Sequence, residues 1–99
     1  MKVIKKYVER IDEELEDAQH YAEKYVECKA KGHMQNANMY AEMSNDELKH
    51  TTYVHKMAVE AINELNKVYQ PPEEMLEKWD KAHKLYVERT AWIKQMLAM

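Results

Sequence analysis

Ninety-nine residues with 15 basic and 18 acidic side chains carry a formal net charge of −3, with both signs interleaved, which excludes the basic footprint that nucleic acid requires. One Gly, two Pro, no Phe and 33% charged residues describe one helical domain with a modest core. No apolar run approaches the roughly 20 residues of a membrane span, and the lysines around Val3 and Ile4 lead into no secretory-type apolar stretch.

The first predicted helix covers residues 3–31. Its heptad-like stripe is Ile4, Val8, Ile11, Leu15, Ala18, Ala22 and Tyr25, flanked by Tyr7, Glu14, Tyr21 and Cys28. Glu14 therefore sits beside the seam. Cys28 is the lone cysteine, which excludes an intrachain disulfide and fits a semi-buried thiol in a reducing, cytoplasmic setting. Gly32, after Lys29 and Lys31, reads as a helix C-terminus. A second helix is predicted over 35–69, with Tyr40, Met43, Glu47, His50, Val54, Met57 and Ala61 in a 4-3 rhythm, widened by Leu48, Ala58, Ile62 and Leu65. Pro71-Pro72 ends it. The third helix, 72–98, opens with Pro72 in its first turn and Glu73 and Glu74 at the positive end of its dipole. It offers Met75, Trp79, Ala82, Tyr86, Ile93 and Met96 as a packing face.

Glu47 and His50 form an E-x-x-H pair, which puts a carboxylate and an imidazole about one turn apart on one helix face. Such pairs arise by chance in Glu-rich helices. The stronger signal is height: if the first two helices form an αα-hairpin about Gly32, Glu14 lies within roughly a turn or two of the pair, at 1.5 Å of rise per residue. An inward carboxylate needs a cation or a donor. Oxygen-rich ligation with one imidazole suits iron or manganese, while zinc more often recruits Cys or a second His. Asp17-x-x-His20 falls on the outer side of the first helix and reads as surface; His83, near Trp79 and Tyr86, reads as a partly buried histidine with Asp80 at its edge.

Two segments, Glu13-Glu14-Leu15-Glu16-Asp17-Ala18-Gln19-His20-Tyr21 and Asn45-Asp46-Glu47-Leu48-Lys49-His50, resemble the ferritin-like superfamily. There the first-helix Glu ligand is typically followed by Tyr seven residues on, as Glu14 is by Tyr21, and the second-helix motif is E-x-x-H. The likeness covers roughly residues 7–60 and is nearest to encapsulated ferritins, short chains that build a ferroxidase centre across a two-fold dimer interface. The resemblance implies Glu14 as a bridging or terminal carboxylate, Glu47 as a bridging carboxylate, His50 as the terminal imidazole and Tyr21 as a neighbour of the site. Glu13 and Glu16 match acidic positions of a secondary metal site. His20 stands where those proteins often place an aromatic residue. No encapsulin-targeting tail is recognisable after the third helix, which leaves packaging in a protein shell unproven.

The expectation is an all-α protein: a hairpin plus a third long helix, completed by dimerisation into a ferritin-like four-helix bundle. Paired Glu14, Glu47 and His50 would hold two irons, and the protein would oxidise Fe(II) with O2; manganese or zinc would fit the same donors. Two other readings are a non-catalytic helical adaptor that keeps the shape alone, and a centre completed within one chain by Asp80 or His83.

Overall fold

The computed structural model describes residues 2–68 and 70–99. It is all-helical: α1 (Lys2–Ala30), α2 (Met34–Val68) and α3 (Glu73–Leu97), with no strand among the described residues. The expected bounds hold within a residue or two; the end expected at Tyr69 lies outside the described residues. None of the helices is long and apolar enough to cross a membrane.

The α1–α2 turn closes by local hydrogen bonds. Gly32 has φ 77°, a left-handed conformation that costs glycine nothing. The His33 N–H donates to the Cys28 carbonyl at 2.9 Å and the Gly32 N–H to that of Lys29 at 3.1 Å, the paired bonds of a Schellman motif. The chain reverses there, so α2 runs back along α1. Pro72 is the residue just before α3 rather than its first turn; its carbonyl accepts the N–H groups of Met75 and Leu76, and Glu73 and Glu74 occupy the first turn as expected.

α1 lies in the middle and packs against both other helices, whereas the α2 and α3 backbones barely approach each other. Lys29 donates to the backbone oxygen of Met99 at 2.7 Å, and Ile4, Ile62 and Met75 form an apolar cluster at the opposite end. α3 therefore runs parallel to α1. The result is a rod 55 × 17 × 17 Å. Its main core joins Ile11, Leu15, Ala18 and Ala22 to Leu48 and Val54 of α2 and to Ile93 and Met96 of α3. Trp79 and Tyr86 pack half-buried against it.

The seam of α2 differs from the expected one. The buried residues are Ala37, Ser44, Leu48, Thr51, Val54, Ala58 and Ile62, so the seam is rotated away from Met43, Glu47, His50 and Met57. Met43, His50 and Met57 are exposed and Glu47 is half-buried. Small side chains explain the choice. The helices approach closely enough at Ala18 for the Ser44 hydroxyl to donate to the Ala18 carbonyl at 2.7 Å, and Thr51 bonds the Glu47 carbonyl of its own helix at 2.9 Å. With their hydroxyls satisfied, Ser and Thr serve as core residues. The broad thioethers are left on the margin.

Candidate metal centre

Glu14 is the innermost member of the site. It lies one turn from Ile11 and Ala18 on α1, and its side chain is only 8% exposed. Sequence pattern placed it beside the seam; in the fold it is buried. Across the hairpin, Glu47 and His50 project from one turn of α2. One carboxylate oxygen from each Glu and a His50 ring nitrogen lie within 4.8 Å of one another. His50 Nδ1 is 3.4 Å from Glu14 Oε2 and 3.8 Å from Glu47 Oε1. The His50 side chain is 56% exposed, so the centre has a dry floor at Glu14 and an open mouth at His50.

The two oxygens of Glu14 differ. Oε1 accepts a 2.8 Å charge-assisted bond from Arg10 Nε, one turn back on α1. Oε2, which faces Glu47 and His50, is buried and has no hydrogen-bond donor. A buried acceptor left in that state costs about 1–3 kcal/mol, so the arrangement calls for either a proton or a cation. A proton fits on Glu47. The hydrogen bond with Glu14, then burial and then the Glu14 charge push the Glu47 carboxyl up to about 7, against the pull of His50. For Glu14, burial pushes upward, but the hydrogen bonds of Glu47 and Arg10 and the charges of Arg10 and His50 outweigh it and hold the carboxyl below its ordinary value. One carboxyl is thus ionised and one poised near neutrality, a split that close carboxylate pairs adopt.

A divalent cation is the other remedy. Two carboxylate oxygens and one imidazole nitrogen from two rigid helices form the donor set that iron and manganese accept, and the unpartnered Oε2 faces the other two donors. The residues present fit a metal ion.

Of the other residues named from sequence, the structure brings none into this group. Glu13 and Glu16 are exposed on α1. Tyr21 lies two turns along, its ring stacked on Tyr40 at 6.3 Å between centroids, which is about 10 Å of helix from Glu14. Asp17 and His20 are exposed as expected. α3 supplies no ligand: Asp80 pairs with Lys84 at 3.2 Å, and His83 Nδ1 meets His55 Nε2 at 2.8 Å. That imidazole pair sits among Trp79 and Tyr86, with the His55 ring stacked on Tyr86 at 4.4 Å. His55 is five residues past His50, about 140° around the helix, so α3 meets α2 on the flank away from the centre.

Two contacts escaped the sequence reading, Arg10 to Glu14 and His55 to His83. Arg10 is legible in hindsight, because Arg and Glu four apart on a helix are neighbours. The His55–His83 pair is not, since no local spacing foretells a contact between distant helices. Comparison with known protein families, curated proteins and solved structures found no match.

Proposed function

We propose that two copies of this chain pair through the open face of the hairpin and build a di-metal carboxylate centre that oxidises Fe(II) with O2. The observation that carries the reading is the buried, unpartnered Glu14 Oε2, converging with Glu47 and His50 beneath an open mouth. One copy offers two carboxylates and one imidazole. A two-fold partner doubles that to the four carboxylates and two histidines of di-iron carboxylate bundles. The face around the mouth suits such a partner. Met43 and Met57 are exposed on the stripe that holds Glu47 and His50, while α3 covers the other flank. Two hairpins joined there make a ferritin-like four-helix bundle.

Each residue has a role at its own atoms. Glu14 holds a fixed negative charge at the dry floor. Glu47, poised near neutrality, gives up its proton as a cation arrives and takes one up again as the cation leaves. His50, at the mouth, contributes a neutral nitrogen and stands where ions enter. A pair of irons held there would supply the redox chemistry, two Fe(II) with O2 and two protons giving two Fe(III) and hydrogen peroxide.

Iron and manganese content, aerobic Fe(II) oxidation and mass in solution test the reading together. Two metal ions per dimer are expected, lost in both Glu47→Ala and His50→Ala. Unchanged metal content in both variants would sink it. A second reading, a helical adaptor without redox activity, draws on Leu85, Val87 and Trp92, exposed on α3; it predicts a metal-free protein with the same fold.

A further inference from the structure

We infer that Arg10 is the resident counter-cation of the centre, and that a metal ion binds in competition with its guanidinium. The inference rests on the metal-binding reading above and goes beyond it, because Arg10 belongs to none of the motifs that point to a metal. Glu14 is 8% exposed and Arg10 63% exposed, and the 2.8 Å bond between them runs from the surface down to the buried carboxylate. Arg10 is thus a removable stopper on a fixed charge. Its N–H and positive charge stabilise Glu14 in its ionised form while no metal is present. A dication on Oε2 would sit a few ångströms from a guanidinium on Oε1 of the same carboxylate, and like charges that close repel.

Competition and simple positioning predict opposite signs. If Arg10 merely held Glu14 in the right rotamer, its removal would weaken metal binding. If Arg10 competes, its removal frees Oε1, lifts the repulsion and tightens binding. Exposure favours competition: the Arg10 side chain is already 63% exposed, so its guanidinium swings out into water, while the carboxylate it leaves is taken over by the dication. The stopper also guards the centre before metal arrives, since without Arg10 the buried Glu14 carboxylate would lose the charged donor on Oε1.

The test is Mn²⁺ and Zn²⁺ affinity, measured against a chromophoric chelator in wild type, Arg10→Gln and Lys6→Gln. Gln keeps the helix propensity, and Lys6 is an exposed cation of α1 with no ion pair to Glu14. Arg10→Gln is expected to bind about tenfold tighter, to melt lower in its metal-free state, and to gain more stability from saturating metal. Lys6→Gln should track wild type. Slowed exchange of the Arg10 Nε–H in metal-free wild type, lost on adding Zn²⁺, would show the displacement directly. Equal or weaker binding by Arg10→Gln, or the same gain in Lys6→Gln, overturns the inference while leaving the metal centre standing. If wild type binds neither ion at Glu47 and His50, the centre itself falls, and the competition with it.

Discussion

Glu14 and Glu47 face each other with different partners, and that difference separates their charges. Against burial, the hydrogen bonds of Glu47 and Arg10 and the charges of Arg10 and His50 hold Glu14 below its ordinary value, whereas the hydrogen bond with Glu14, burial and the Glu14 charge push Glu47 up to about 7 from an ordinary 4.5. A carboxyl whose pKa is raised in the fold stabilises the fold in its protonated form. Its contribution is complete below about pH 4.5 and is lost as the pH rises through 7. Metal-free protein should therefore weaken across that interval. Glu47→Gln, which keeps the neutral shape, should flatten the dependence and raise stability at pH 8 by roughly 1–2 kcal/mol, after allowance for the water that reaches the site. The same variant should lose metal-induced stabilisation. Denaturant unfolding from pH 4.5 to 8, with chelator and then with Mn²⁺, checks both halves. The grouping of Glu14, Glu47 and His50 was legible from local spacing and helical rise. The burial of Glu14 was not, because it depends on how the helices pack around it, and no residue near Glu14 in sequence reports that.

At the scale of the helices, the breaks were readable because they are chemical. Gly32 is the single glycine and takes a conformation that other residues resist, and Pro71-Pro72 removes consecutive backbone donors. The seam of α2 misled, because Met looks like core and Ser and Thr look like surface. Close helix approach reverses that preference, since Ala18 leaves room for Ser44, whose hydroxyl finds the Ala18 carbonyl. Ser44→Leu should consequently cost about 1–3 kcal/mol by overpacking, while Met43→Ser should stay within about 0.5 kcal/mol as a surface change. If denaturation of the metal-free monomer ranked the two the other way, the seam would be misplaced. The α2–α3 join has its own pH signature. Burial, reinforced by His83, lowers the pKa of His55, and a 2.8 Å nitrogen-to-nitrogen bond requires one ring to accept. A His with a depressed pKa contributes stability that is complete above 6.5 and is lost as the pH falls below it. Trp79 lies 5.3 Å from His55 between ring centroids, so its fluorescence in a Trp92→Phe background should change below that pH. The change should vanish in His55→Leu.

For the molecule as a whole, the distribution of cover matters more than any single contact. α1 is sandwiched, α3 closes one flank, and the flank that bears Glu47 and His50 is left with Met43 and Met57 exposed. A half-buried carboxylate between exposed thioethers is a poor permanent surface, and the proposed two-fold partner would improve both, by burying apolar area and by doubling the donors around a cation. Assembly and metal binding would then be one equilibrium, which separates this proposal from a centre complete in one copy. Met57 is two turns beyond His50, about 10 Å along α2, too far to touch the metal. Met57→Glu should leave the helical content and the metal-free monomer intact but keep the chain monomeric, as like charges meet across the two-fold axis. Mn²⁺ affinity should fall by about tenfold or more, roughly 1.4 kcal/mol or greater, because each ion keeps the donors of one half-site. Sedimentation and metal titration on the same sample decide the matter: a monomeric Met57→Glu protein that binds Mn²⁺ as tightly as wild type would show that Glu14, Glu47 and His50 need no second copy.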